Sequence, residues 1–322
     1  MATFTVTNTN NSGAGSLRQE ILDANALSGK DIINFGGLFN DGLAHPISLT
    51  GSGLSITDDL TIQGTNPNLL TIKDDSASRV FDITSGVTSA INGLTITNKY
   101  SGTAGGGAIS NEGVFTLSNS IVTGNTANDG GGIYNTGTLT VNHSTISENT
   151  ATEGGGIFNE ASLTLNFSTI TRNTAVDGGG IENSYSNATI TTVNYGTITG
   201  NTAEHAGGID NSGSITLNHS SITHNTASDD GGAILNSGSL SVNYSNISSN
   251  IVKVSGSPDS FSGSGGGIFN YSGSLTLNHS TINDNIALNG GGIYMYITTD
   301  FDTVNLLVSN SSISSLILHT TA

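Results

Sequence analysis

The sequence predicts an all-β solenoid, a parallel β-helix closed at its start by one short helix. Three observations carry this expectation. First, a block of small residues followed by Ile recurs at Ile109, Ile133, Ile157, Ile181, Ile209, Ile234, Ile268 and Ile293, in steps of 24, 24, 24, 28, 25, 34 and 25 residues. Second, two Asn series keep pace with it. One stands two residues after the Ile (Asn111, Asn135, Asn159, Asn183, Asn211, Asn236, Asn270, then Met295), the other at Asn125, Asn149, Asn173, Asn201, Asn225, Asn250 and Asn285. Third, alternating apolar pairs such as Leu139/Val141 and Leu163/Leu165 lie between the two series, followed by one further apolar residue such as Ile146 or Ile170. Three short apolar segments in a period in the twenties make one coil of a β-helix. Equivalent strands then stack about 4.8 Å apart and pair in parallel. Leucine-rich repeats would need denser Leu, and propeller blades a period of about 40 residues with aromatic marks.

Each part of the period has a structural reason. The Ile, Leu and Val form inward columns. Asn recurring once per coil predicts a ladder of side-chain amides, satisfying polar groups at bends. The Gly-rich block allows a tight turn.

Composition agrees. Hydrophobic residues are 34% of the 322, with 44 Gly and only 3 Pro, which suits a turn-rich β body. The balance of 7 Lys+Arg against 24 Asp+Glu gives a net charge of −17. Such a surface disfavours nucleic acid and anionic membranes and tolerates cations. Cysteine is absent, so disulfides and thiolate metal sites are excluded. Met1–Phe4 shows no basic or apolar signal-peptide pattern, and no stretch approaches the ~18–20 apolar residues of a membrane helix. No membrane insertion is expected.

Taken in order, the chain forms a single domain, 1–322. Residues 1–30 hold a strand from Thr3 to Asn8, a turn at Ser12–Gly15 and a helix over Ser16–Leu27. Leu17, Ile21, Leu22 and Ala24–Ala26 share its apolar face, Ser16 is the N-cap and Gly29 follows its end. This helix covers the open end of the solenoid. Residues 31–104 give irregular first coils with runs at Ile32–Phe35, Ile47–Leu49, Leu54–Ile56, Leu60–Ile62, Leu69–Ile72, Val80–Ile83 and Leu94–Ile96. Residues 105–304 are the regular array, with insertions near Ser184–Asn194 and Ile251–Ser264 that emerge as surface loops. Residues 305–322 form the C-terminal edge, where Ser311–Leu318 would make a last strand.

The Gly-Gly-(Gly/Ala)-Ile-x-Asn blocks resemble the repeats of bacterial polymorphic outer-membrane proteins. The segment Gly15-Ser16-Leu17-Arg18-Gln19-Glu20-Ile21 with Ala24-Asn25-Ala26 resembles the Cys-Ser-Leu-Arg-Glu-Ala domain that precedes such repeats, with Gly15 in place of the Cys. Both resemblances imply the right-handed parallel β-helix of the pectin-lyase-like superfamily, a fold shared by adhesins, lyases, hydrolases and epimerases.

Three rows of residues could carry chemistry. Four positions before the repeat Ile stand Asp129, Glu153 and Asp177, then His205, Asp230 and Asn289. Stacked acids repel, and a bound Ca²⁺ would relieve them, so Asp129, Glu153 and Asp177 are the candidate metal site. Solvated turn carboxylates are the plainer alternative. Immediately after the Ile come Tyr134, Phe158, Glu182, Asp210, Leu235, Phe269 and Tyr294. With the Ile inward, these face outward. Tyr134, Phe158, Phe269 and Tyr294 are then candidate glycan contacts, with ordinary stacking between coils as the alternative. The third row, Asn119, His143, Phe167, Tyr195, His219, Tyr244 and His279, falls at a turn and reads as stacked turn residues.

Catalysis would use Glu182, Asp210 and Asp230, the best-paired carboxylates for two-acid glycoside hydrolysis. Arg172 and Lys253 are the only basic residues of the regular array, which disfavours a lyase acting on an anionic sugar polymer. The expectation is a secreted or surface-associated bacterial protein with a structural, adhesive or glycan-binding role. The alternative is a polysaccharide-active enzyme, hydrolase before lyase. The expected partner is a polysaccharide or cell-surface glycan. No cofactor is required beyond the possible Ca²⁺, and the chain would be a monomer or an end-to-end, edge-mediated oligomer.

Overall fold

The computed structural model describes residues 1–74, 76, 78–98, 105–184, 189–254, 262–297 and 306–320. They wind into a right-handed parallel β-helix with three long sheets of 12, 11 and 11 strands and a fourth sheet of three. One coil shows the plan. Ile133–Asn135 belongs to the first sheet, Thr138–Asn142 to the second and Thr145–Ser147 to the third. Each strand pairs with its equivalent in the next coil: Ile133 meets Ile157, Leu139 meets Leu163 and Ile146 meets Ile170.

Strand alternation sends Ile133, Leu139, Val141 and Ile146 inward, and all four are fully buried. β-Branched and Leu side chains suit this pleated interior. Each contributes about 1.5–3 kcal/mol by leaving water. No tertiary crossing of helices is needed. The core is one continuous column set from Val6 to Met295.

The bends are held by amide ladders. At the end of the first-sheet strands, Asn111 donates to Asn135, and so on through Asn159, Asn183, Asn211, Asn236 and Asn270, at 2.6–2.9 Å. After the third sheet, Asn125, Asn149, Asn173, Asn201, Asn225, Asn250 and Asn285 form a second ladder at 2.7–3.0 Å. Each Asn after Asn125 also receives a backbone N–H from the coil before, as when Asn173 Oδ1 accepts from the Asn149 backbone at 3.0 Å. Its Nδ2 donates back to an inner carbonyl, Asn173 to Ile146 at 3.1 Å. The rungs from Asn111 to Asn250 of both series have no exposed surface.

Two further ladders lie outside the sequence expectation. Asn142, Asn166, Asn194, Asn218 and Asn243 form a partly exposed one with the opposite polarity, the last four each donating to the coil before at 2.9–3.0 Å. A row of Ser hydroxyls accepts backbone N–H groups across coils: Ser144 from Ser120 at 3.1 Å, Ser168 from Ser144 at 3.2 Å and Ser245 from Ser220 at 2.9 Å.

The N-terminal strand Thr3–Val6 starts the second sheet, and the helix Leu17–Asn25 seals the first coil with Leu17, Ile21 and Ala24. The Ser16 hydroxyl accepts the Gln19 N–H at 3.2 Å, as an N-cap does. Arg18 fastens this cap to the first coil. Its guanidinium donates to the carbonyls of Asn11, Ser52 and Gly53 at 3.2, 2.6 and 2.9 Å. The helix ends at a C-cap on Ala26, slightly before the expected Leu27.

The early coils add a 3₁₀ turn at Gly37–Asn40 and a strand at Thr88–Asn92 that the apolar runs did not reveal. Polar residues interrupt the apolar signal there. The C-terminal edge holds three strands, Leu306–Ser309, Ser312–Ile313 and Leu316–Thr320, rather than one. Parts of the two expected insertions, 185–188 and 255–261, and of the edge lie outside the described residues.

Removing one inner rung leaves carbonyl and N–H partners buried without water, at about 1–3 kcal/mol each. Asn173→Ala is therefore expected to lower unfolding free energy in urea by roughly 2–5 kcal/mol, since it strands more than one such group. Asn194→Ala, on the outer ladder, is expected to cost under about 1 kcal/mol. Equal losses in the two variants would contradict the ranking.

Candidate functional site

The acidic row is a real column. Parallel bridges join Asp129 to Glu153, Glu153 to Asp177 and Asp177 to His205. Another joins Asp230 to Ser264, which in turn meets Asn289. Between His205 and Asp230 the column becomes part of the three-stranded sheet formed by Thr202–His205, Thr226–Asp230 and Ile251–Val252.

That sheet contains a bulge. Thr202 pairs with Thr226 and Ala203 with Ala227, but His205 pairs with Asp230. One residue separates the first strand's pairs and two separate the second's. The extra residue brings Asp229 as well as Asp230 against one imidazole. His205 Nδ1 lies 3.2 Å from Asp230 Oδ1 and 3.5 Å from Asp229 Oδ2. The hydrogen bond to Asp230 is the main cause that raises His205 to about 9, with the charges of Asp230, Asp177 and Asp229 adding and burial opposing. The next residue, Ala206, has φ of 54°, where the equivalent residues Gly178 and Gly231 have 61° and 62°. A Cβ in this left-handed region is disfavoured, so this one coil holds local strain beside the cluster.

The column after each repeat Ile meets this cluster from the first sheet. Its rungs pair in register: Tyr134 with Phe158, Phe158 with Glu182, Glu182 with Asp210, Asp210 with Leu235, and Leu235 with Phe269. Two acids thus interrupt a run of aromatic and aliphatic rungs. Glu182 is buried, and its Oε2 has no hydrogen-bond partner. Burial raises its pKa most, followed by the charges of Asp210, Asp177 and Glu153. Burial also leads in raising Asp210 to about 7, with Asp177, Asp230 and Glu153 adding and His205 opposing. The two carboxyls stand on adjacent strands, each pushed toward its protonated form chiefly by burial.

The expected metal residues Asp129, Glu153 and Asp177 occupy successive rungs as the spacing requires. Burial, then Asp129, Asp177 and Glu160, raise Glu153, and Asp177 is raised chiefly by burial. Among the described residues, the donor atoms that converge to within 4.8 Å are those of His205, Asp229 and Asp230 instead. Asp129, Glu153 and Asp177 supply one acid per rung, whereas the bulge adds a second acid on one rung.

The expected glycan-contact row is placed differently from the sequence reading. Phe158, Phe269 and Tyr294 retain only 6%, 2% and 4% of their exposure. Tyr134 is partly buried and donates from its hydroxyl to Glu160 Oε2 at 2.6 Å. Its burial, then Glu160, raise the phenol. These rings face away from the core, as alternation demands, but they cover one another: Tyr134 stacks on Phe158 at 5.5 Å and Phe269 meets Tyr294 at 5.5 Å. Facing outward on a strand did not make them accessible. Gly105 also lies directly against the Tyr134 ring, where a Cβ would come within 2.8 Å.

The exposed aromatic surface is the third row. His143, Phe167, Tyr195, His219, Tyr244 and His279 stack face to face, with centroids 4.7–5.1 Å apart. All six have positive φ, between 48° and 53°. Phe167, Tyr195 and Tyr244 are each more than half exposed. The turn forces the left-handed backbone, and stacking between coils offsets its cost.

Residues 219–237 match the Chlamydia polymorphic membrane protein repeat, a stretch shorter than one coil. No curated protein sequence matches the chain. Among solved structures, the crystal structure of pectate lyase Pel9A aligns over 98% of this chain and 79% of its own, at 14% identity and a TM-score of 0.40. The chain is a parallel β-helix by its sheet topology, and residues 219–237 are similar to one polymorphic-membrane-protein repeat.

A carboxyl pair that holds protons in the folded state links stability to pH. The folded chain keeps Asp210 protonated up to about 7, against an ordinary value of 3.8. Its contribution is full below the ordinary value and is lost as pH rises through the folded one. From pH 4 to 7 the thermal midpoint is expected to fall at least about 3 °C more in the natural chain than in Asp210→Asn. Parallel pH profiles for the two proteins would refute the buried pair.

Proposed function

We propose that this is a surface-associated bacterial β-helix protein with an adhesive, glycan-contacting role. The observation that carries the reading is the exposed aromatic ladder from His143 to His279. Among the described residues it is the longest stacked aromatic row, and it runs along the coils. The repeat match at 219–237 overlaps it and supports a surface setting. The ring faces are occupied by one another, so the ladder offers edges, Tyr hydroxyls and imidazole nitrogens. Such an amphipathic stripe suits the mixed polar and apolar profile of a polysaccharide laid along the axis.

Retention on immobilised polysaccharides tests this. The natural chain is expected to bind at least one. The triple substitution Phe167→Ser, Tyr195→Ser, Tyr244→Ser is expected to weaken that binding at least about tenfold, a loss of about 1.4 kcal/mol. Failure to bind any member of a broad neutral and acidic panel would sink the proposal.

A second reading is favoured by the Glu182–Asp210 pair. Adjacent carboxyls held partly protonated are the equipment of two-acid glycoside hydrolysis, with Asp230 beside them. It ranks second because Glu182 is buried within its column rather than lining an open groove. Reducing ends released from a polysaccharide, and cut at least about 100-fold by Glu182→Gln or Asp210→Asn, would establish it. Release unchanged in both variants would exclude these acids.

A further inference from the structure

We propose that His205, Asp229 and Asp230 form a binding site for a divalent first-row transition cation such as Zn²⁺. The bulge in the three-stranded sheet builds it. The donor atoms, one imidazole nitrogen and two carboxylate oxygens, all lie within 4.8 Å of one another. Their separations of 3.2 and 3.5 Å from His205 Nδ1 match a metal shell. Bonds of about 2.0–2.2 Å at a tetrahedral angle hold donors about 3.4 Å apart.

A second observation points to a ligand. Ser264 occupies the rung after Asp230, in register with it, and is fully buried. Its hydroxyl has no hydrogen-bond partner. A buried unpaired hydroxyl is costly and uncommon. Parallel register places it on the same face as the Asp230 carboxylate, where it can serve a metal-bound carboxylate or a bound water.

The donor set selects the cation class. Calcium takes six to eight oxygens, and magnesium prefers an octahedral oxygen shell. Imidazole together with carboxylates suits Zn²⁺ and its neighbours. Access is available, because the His205 and Asp229 side chains are 32% and 25% exposed while Asp230 is 10% exposed beneath them. Three protein ligands leave a position open to water. Asp177, whose charge acts on the same imidazole, adds to the negative field that draws a cation in.

Titration of the whole chain with Zn²⁺ by calorimetry, and with Co²⁺ by visible absorption, tests the site. One equivalent is expected to bind saturably, with the Co²⁺ spectrum showing nitrogen and oxygen ligation. Ca²⁺ at the same concentration is expected not to compete. Asp229→Asn and His205→Gln are each expected to weaken Zn²⁺ binding at least about 100-fold. Asp229 is partly exposed and lies outside the core columns, so its variant is expected to retain the parent's circular dichroism. His143→Gln, on the aromatic ladder, is expected to bind as the parent does. Several weak equivalents without saturation, a Co²⁺ spectrum of all-oxygen ligation, or an affinity unchanged in Asp229→Asn would each overturn the proposal.

Discussion

The structure depends on the requirement that every polar group at a coil bend find a partner in the next coil. Asn meets the need because it both donates and accepts along one axis. The Asn125-to-Asn285 ladder does more than join side chains. Each rung after Asn125 accepts a backbone N–H from one neighbouring coil and donates to an inner carbonyl, as Asn173 does with Asn149 and Ile146. Side chain and backbone are satisfied by the same atoms. Aspartate, an acceptor only when ionised, could not repeat this pattern, and stacked charges would repel.

The same stacking gives each column a chemical character. A residue's nearest neighbours are its equivalents one coil away, not its sequence neighbours. Rings beside rings produce the ladder from His143 to His279 and the covered pairs Tyr134–Phe158 and Phe269–Tyr294. Acids beside rings produce something else. Glu182 and Asp210 stand between Phe158 and Leu235, so desolvation, before mutual repulsion, governs their protonation. Glu182 is buried and Asp210 partly so, with apolar rungs flanking the pair and the charged column acting on it.

Much of this was legible in the sequence, because the repeat period fixes register. The Ile steps, the two inner Asn series, the acid column and the turn aromatics all align as the spacings require. Burial outside the core was not legible. Alternation tells which face a residue occupies, but whether a face is open depends on neighbouring coils and turns. Phe158 faces away from the core and is nevertheless covered. The Ser ladder was hidden for a different reason: Ser is abundant, and Gly196 interrupts its row. The bulge did leave a signal. Ile209 to Ile234 spans 25 residues where the preceding regular coils span 24, and the added residue falls beside Asp229–Asp230.

That single residue shows where such a fold can acquire chemistry. An insertion within a strand of the three long sheets would shift every following side chain to the opposite face and destroy the core columns. The extra residue instead lies between Asn225, a rung of the inner ladder, and Gly231, which begins the next small-residue turn. Both flanking marks keep their register: Asn225 donates to Asn250, and Ile234 pairs with Ile209 and Ile268. The ladders confine the disturbance to the bend. The bend can therefore carry two acids against His205 without any loss in the core. Strand positions are constrained by columns above and below, so new side-chain combinations arise at bulges. The convergence of His205, Asp229 and Asp230 at the one described bulge is the expected outcome of that constraint.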